Sequence, residues 1–165
     1  MKFIFLDVDG VLNSERTTAL SPNGFIGISS GLVKRLAKIV KATDAKIILS
    51  STRKRSEDED FKYLARKLMQ QELYMSGKTR EPNEALWHRG LGIKAYMEEH
   101  ECDAYVIIDD ELFDFQEEGL LEHAVITDAT QGLTNADVEK AIGVLNGKLV
   151  DPNDYKDVYV WGYHH

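Results

Sequence analysis

The sequence predicts an α/β fold in which a parallel sheet lies between two layers of helices. Short apolar runs alternate along the chain with segments whose apolar residues recur every three or four positions. The length of 165 residues is that of one domain, and the sequence has no repeats or linkers. We therefore expect a single domain over residues 1–165, with its core over about residues 1–145 and a tail or edge strand over 146–165.

The first strand and the first helix are predicted by an apolar run and by a capping residue. Lys2–Leu6 contains four consecutive apolar residues, as is typical of a buried strand. Ser29 or Ser30 can cap a helix, because a serine hydroxyl accepts a hydrogen bond from the free N–H groups of the first turn. The apolar face of that helix would be formed by Leu32, Val33, Leu36, Ile39 and Val40.

A second strand, a second helix and a third strand follow. Lys46–Leu49 is the next apolar run. Ser56 and Glu59 have the spacing of a capping box, which predicts a helix start before an apolar face. Residues 72–75 are predicted as a short third strand that ends at the Ser76-Gly77 pair.

The second half of the chain continues the alternation. Thr134 and Asp137 have a capping-box spacing, and the Asn146-Gly147 pair would end the helix that they begin. The other predicted elements are a helix over residues 89–100, strands over 105–108 and 124–127, and an edge strand or docked tail over 158–161.

Composition restricts the class of protein. The formal net charge of −8 repels nucleic acid unless a local basic patch overrides it. Cys102 is the only cysteine, so we expect no internal disulfide and no disulfide-linked partner. No apolar stretch has the length of a membrane helix, and the amino-terminal residues lack the features of a signal peptide. We expect a cytoplasmic protein without a membrane partner.

Acidic residues follow two of the predicted strands. Asp7 and Asp9 come directly after the first strand and before Gly10, and Asp109-Asp110 comes directly after the strand over 105–108. The carboxyl edge of a parallel sheet is where ligands bind, and clustered carboxylates need a cation or a proton. Aspartates also favour turns after strands. Two such pairs in one chain favour a Mg²⁺ site over plain turns.

Hydroxyl side chains follow the second strand. Ser50 and Ser51 lie at its end, where hydroxyls and backbone N–H groups can bind phosphate. The basic run Arg53-Lys54-Arg55 comes next. It could contact further phosphates, or it could be a solvated loop balanced by the acids at positions 57–60.

Together these segments resemble the haloacid dehalogenase (HAD) superfamily of phosphohydrolases. Asp7-Val8-Asp9-Gly10-Val11 resembles the first motif of the superfamily. Ser50 resembles its second motif, and Asp109-Asp110 resembles its fourth. Within the superfamily, Leu49-Ser50-Ser51-Thr52-Arg53 and Gly132-Leu133-Thr134 resemble the small HAD domains of Swiss Army Knife RNA repair proteins, although Thr52 stands where that group often has tryptophan. The resemblance implies a Rossmann-like fold.

The resemblance also implies roles for these residues. Asp7 would be the nucleophile that forms an aspartyl-phosphate, and Asp9 would be the general acid and base. Ser50 would bind a phosphate oxygen. Mg²⁺ would be held by Asp7, the backbone carbonyl of Asp9, Asp109 and Asp110.

The family's third motif is a cation near the start of the helix before the fourth strand. Arg89 lies at the expected place and Lys94 about one turn later, and we favour Arg89. The resemblance places Gly10, Ser51, Arg53 and Lys94 among the residues that bind the phosphate.

The gaps between the motifs are too short for a sizeable cap domain. An uncapped site admits bulky phosphorylated substrates, such as RNA or DNA ends or phosphoproteins. The loop with Phe25 and Ile26 could act as a partial flap. Two rival functions are a phosphate-accepting receiver domain of signalling proteins and a non-catalytic HAD-like binding module.

Overall fold

A computed structural model of the chain describes residues 1–51, 59–156 and 158. The described residues form a five-stranded parallel sheet and four α-helices. In chain order the elements are β1 (Lys2–Leu6), α1 (Ser30–Thr43), β2 (Lys46–Leu49), α2 (Glu59–Met69), β3 (Met75–Lys78), α3 (Arg89–Glu99), β4 (Ala104–Asp109), β5 (Ala124–Ile126) and α4 (Asn135–Leu145).

The sheet has the strand order β3-β2-β1-β4-β5, which places β1 at its centre. Side chains of a strand alternate between the two faces, so Ile4 and Leu6 pack on one face while Phe3 and Phe5 pack on the other. The face with Ile4 is covered by α1, α2 and α4, and the opposite face is covered by α3 and the segments around β5. The predicted α/β fold with helices on both faces is confirmed.

Two helix starts form as their capping residues predict. Ser29 is the capping residue of α1, and its hydroxyl accepts a hydrogen bond from the backbone N–H of Leu32 at 3.3 Å. Thr134 and Asp137 form a reciprocal capping box at the start of α4. Ser56, which was predicted to begin α2, lies outside the described residues.

The third strand was predicted at the wrong place. It runs over Met75–Lys78 rather than over residues 72–75, so Ser76 and Gly77 lie inside it. Residues 70–72 form the turn that closes α2, and the Leu73 N–H bonds to the carbonyl of Leu68. Gly77 lets β3 and Tyr96 of α3 approach closely, since a Cβ at this position would lie 2.5 Å from the hydroxyl of Tyr96.

The loop between β1 and α1 is tied to α2. A single pair of facing residues, Leu20 and Ile26, forms an antiparallel bridge, and Phe25 is exposed at its tip. The Ser21 hydroxyl donates to Asp60 at 3.0 Å, and the Ile28 N–H donates to the hydroxyl of Tyr63 at 3.0 Å. Within the described ranges neither gap between the motifs contains a cap domain.

The chain after α4 packs back onto the sheet. Tyr155, in a short 3-10 helix over Pro152–Tyr155, donates its hydroxyl to the carbonyl of Ala124 at 2.7 Å. Val158 packs against the same side of the core. The rest of the predicted edge strand over 158–161 lies outside the described residues. No helix in the described part of the chain combines the length and the apolar character needed to pass through a membrane.

Candidate active site

Asp7 and Asp9 follow β1 at the carboxyl edge of the sheet. The backbone N–H of Asp7 bonds to the carbonyl of Ile108 at 2.9 Å, which continues the pairing of β1 with β4 and fixes Asp7 beside the end of that strand. Asp7 is buried, whereas Asp9 is exposed. The Asp9 carboxylate accepts a hydrogen bond from the side chain of Asn13 at 2.9 Å. The two acids therefore have different surroundings.

Three carboxylates meet at this edge. Oxygen atoms of Asp7, Asp109 and Asp110 all lie within 4.8 Å of one another. Such an all-oxygen donor set fits a hard divalent cation such as Mg²⁺. The Asp9 carboxylate is not a member of this cluster of described residues, so a metal role for Asp9 would fall to its backbone carbonyl.

Arg89, at the start of α3, reaches the carboxylate cluster. Its guanidinium lies 2.6 Å from Asp109 Oδ2 and 3.3 Å from Asp7 Oδ1. It also stacks over the ring of Phe113, 4.1 Å from the ring centroid. Lys94 instead pairs with Glu118 at 3.3 Å, on the surface. Of the two cations considered for the third motif, the structure brings Arg89 to the acids.

Burial and the repulsion between neighbouring carboxylates raise the pKa of two acids of the cluster. Burial, reinforced by the charges of Asp7 and Asp110, raises the pKa of Asp109 well above its usual range, while Arg89 opposes the rise. Burial and the neighbouring Asp7 raise the pKa of Asp110 to about 7. Arg89 is itself buried, which lowers its pKa, but Asp109 and Asp7 outweigh that effect and raise it. A bound cation would relieve the same repulsion.

Ser50 and Ser51 lie at the end of β2, next to Asp7. The backbone N–H of Ser50 bonds to the carbonyl of Leu6 at 2.9 Å, and both serines are fully buried. The structure therefore brings the ends of β1, β2 and β4 together, as the sequence predicts. Arg53 and its basic neighbours Lys54 and Arg55 lie outside the described residues.

Gly10 lies in the turn that follows Asp7 and Asp9 at the end of β1. Its φ of +81° favours glycine, and a Cβ would lie 2.3 Å from Asp110 Oδ2. Its carbonyl accepts a hydrogen bond from the Thr127 hydroxyl at 2.7 Å, which ties the turn to the end of β5. The glycine thus allows the turn to approach the carboxylate cluster.

Replacing Gly10 with alanine is expected to damage both the fold and the metal site. The control is Gly24→Ala, because Gly24 has a similar φ of +83° but a Cβ added there would have no atom within 4 Å. Gly24→Ala should cost about 1 kcal/mol from backbone strain alone. Gly10→Ala should cost about 1–3 kcal/mol more from the clash with Asp110 and should weaken Mg²⁺ binding. Urea unfolding and metal titration measure both effects, and equal costs for the two variants would refute the clash.

Two residues that the sequence did not single out organise the site. Asn13 donates to Asp9 and to the carbonyl of Gly27, and its own side-chain oxygen accepts from the Gly10 N–H at 2.8 Å. Asp114 accepts hydrogen bonds from the N–H groups of Gly90 and Leu91, at 2.6 and 3.3 Å. The position of Asn13, four residues after Asp9, was a local signal that could have identified it. Asp114 had no such signal, because its contact with α3 depends on tertiary structure alone.

Asp114 is expected to hold Arg89 by capping the first turn of α3. Asp114→Ala should destabilise the protein by about 1–2 kcal/mol, because two N–H groups lose their acceptor. Asp114→Asn, which keeps one acceptor oxygen, should lose less. Denaturant unfolding of both variants tests the ranking, and an Asn variant as unstable as the Ala variant would contradict it.

Comparison with known proteins identifies one matching family. A family model described as the HAD domain in Swiss Army Knife RNA repair proteins matches residues 3–138. That range contains Asp7, Ser50, Arg89 and the Asp109-Asp110 pair. A search of curated proteins found no match. A search of solved structures found none either.

Proposed function

This chain belongs to the family of HAD domains in Swiss Army Knife RNA repair proteins, and we propose that it is a Mg²⁺-dependent phosphatase acting on phosphate monoesters. The observation that carries the proposal is the cluster of buried Asp7 and Asp109 and half-buried Asp110, with Arg89 against it. A nucleophile, a metal-binding donor set and a fixed cation then meet at one edge of the sheet.

Asp7 is the proposed nucleophile. Its carboxylate would attack the phosphorus atom of the monoester, and the bond from phosphorus to the ester oxygen would break. Arg89, whose guanidinium lies 3.3 Å from Asp7 Oδ1, is placed to stabilise the negative charge that develops on the phosphoryl oxygens during transfer. The product of this half of the reaction is a phosphoryl group on Asp7 and an alcohol.

Asp9 is the proposed proton carrier. As an acid it would give its proton to the departing ester oxygen, and as a base it would then take a proton from the water that attacks phosphorus. The second step breaks the bond between phosphorus and the Asp7 oxygen and releases inorganic phosphate. The hydrogen bond from Asn13 keeps Asp9 away from the carboxylate cluster, which supports a separate role.

Asp7, Asp109, Asp110 and the backbone carbonyl of Asp9 would hold Mg²⁺. When bound, Mg²⁺ offsets the negative charge shared by the nucleophile and the phosphate. Among the side chains predicted to contact phosphate, Ser50 and Ser51 lie at the neighbouring strand end. We also propose that Arg53, which lies outside the described ranges, contacts the phosphate. The pairing of Lys94 with Glu118 supports Arg89 as the third-motif cation.

The lack of a cap domain in the described ranges supports a bulky substrate. Because the matching family is described from RNA repair proteins, phosphorylated RNA ends are the first candidates, followed by DNA ends. We also propose a cytoplasmic location, for which the single cysteine is the support.

The test is a screen of phosphorylated compounds in Mg²⁺ and in EDTA. It should include RNA and DNA with 3′- or 5′-phosphates, nucleotides, sugar phosphates and phosphopeptides. We expect steady, Mg²⁺-dependent release of inorganic phosphate. One phosphoryl group retained per protein without release would favour a receiver domain, and binding without either reaction would favour a non-catalytic module.

A further inference from the structure

A cavity of about 470 Å³ lies between the loop after β1 and the start of α1, and its lining contains none of the residues assigned to the reaction above. Its walls come from the loop after β1, the start of α1, one residue of α2 and one residue before α4: Ser14, residues 16–19, residues 28–32, Arg35, Lys67 and Gln131. In a parallel sheet with covering helices, the helices begin at the carboxyl edge of the strands. The cavity and Asp7 therefore lie at the same edge.

The lining of the cavity is positively charged. Arg16, Arg35 and Lys67 line it, and none of its described lining residues is acidic, although the chain has 28 acidic and 20 basic residues. Among the described residues, no carboxylate pairs with the charges of these three side chains.

Two of these cations donate hydrogen bonds to uncharged acceptors, and hydrogen bonds within the loop after β1 order part of the cavity wall. Arg35 donates to the carbonyl of Leu133 at 3.0 Å, and Lys67 donates to the Ser30 hydroxyl at 2.5 Å. The hydroxyls of Ser14 and Thr17 accept hydrogen bonds from backbone N–H groups of the same turn. Each hydroxyl keeps its own hydrogen to donate, so the wall offers charges and donors suited to a phosphate group.

The cavity begins next to the residue that holds Asp9. Ser14 follows Asn13 directly, and consecutive Cα atoms are about 3.8 Å apart. Asp9, the proposed acid for the departing oxygen, is therefore connected to the cavity wall through Asn13, which places the cavity near the proposed leaving group.

We propose that this cavity binds a second phosphate group of the substrate whose scissile phosphate is held at Asp7. This inference rests on the proposed phosphatase function. Arg16, Arg35 and Lys67 would contact the second phosphate, and the cavity volume exceeds what one phosphate fills, which leaves room for an attached nucleoside or sugar. The substrate class is thus a compound with at least two phosphate groups.

Direct binding tests the cavity without requiring turnover. A trinucleotide with a phosphate at both ends is titrated by calorimetry, without added metal, into the wild type and two double variants. Arg16→Gln/Lys67→Gln should raise Kd about tenfold or more, and should flatten the salt dependence of binding. The matched control Lys38→Gln/Lys41→Gln removes two exposed charges of α1 outside the cavity and should stay within about twofold of wild type. Equal Kd values for the two double variants would overturn the proposal.

Steady-state kinetics and binding of inorganic phosphate provide two further tests of the cavity. The ratio of kcat/KM for the trinucleotide to that for p-nitrophenyl phosphate should fall about tenfold in the cavity variant and stay constant in the control. Binding of inorganic phosphate that depends on Arg16 and Lys67, without any such dependence for the trinucleotide, would overturn the proposal. If the wild type hydrolyses neither compound, the proposed phosphatase function fails, and the titration alone decides whether the cavity binds phosphate groups.

Discussion

Replacing Asp7 with asparagine is expected to lower kcat for p-nitrophenyl phosphate by at least about a thousandfold, because an amide cannot form the phosphorylated intermediate. The fold should persist. Asp7 contributes to the repulsion that raises the pKa of Asp109 and of Asp110, so removing its charge should leave the stability unchanged or higher. Phosphate release and thermal unfolding measure the two effects.

The matched control for this variant is Asp154→Asn. Asp154 is exposed in the short 3-10 helix after α4, outside the carboxylate cluster. It should keep full activity. Substantial activity in Asp7→Asn would refute the nucleophile assignment, and an equal loss in the control would show that the assay reports general damage.

Arg89→Gln is expected to cause the largest loss of stability among the substitutions considered. The guanidinium contacts two buried carboxylates, and removing one partner of a buried ion pair costs about 3–5 kcal/mol. The stacking over Phe113 is lost as well. Urea unfolding without metal measures the cost. Added Mg²⁺ should stabilise the variant more than the wild type, because the ion replaces the missing positive charge.

Lys94→Gln is the control on the same helix. Lys94 and its partner Glu118 are both only partly buried, so the expected cost is below about 1 kcal/mol. Activity should fall sharply in the Arg89 variant and stay near wild type in the Lys94 variant. The opposite ranking would transfer the third-motif role to Lys94.

The central strands were predictable because they are buried on both faces. Lys2–Leu6 and Lys46–Leu49 have the bounds that their apolar runs predict. The edge strand β3 was misplaced because its position depends on partners far along the chain. Gly77 lies against the ring of Tyr96 of α3, a contact that no local pattern encodes.

The acids of the site were predictable from the rule that parallel strands end at one edge. The choice between Arg89 and Lys94 depends on how α3 is oriented, because five residues on a helix separate two side chains by about 140° around its axis. Only the docking of α3 shows which one faces the carboxylates. Asp114 was not predicted for the same reason, since it caps a helix start 24 residues earlier in the chain.

The most direct test of the proposed mechanism uses the Asp9→Asn variant with p-nitrophenyl phosphate and Mg²⁺. The p-nitrophenolate group leaves without a proton, so attack by Asp7 should proceed while hydrolysis of the phosphorylated protein is slowed. We expect a burst of about one p-nitrophenolate per protein, with a phosphoryl group on Asp7 in the acid-quenched, peptide-mapped product. Turnover without a burst, or a phosphoryl group on another residue, would contradict the mechanism.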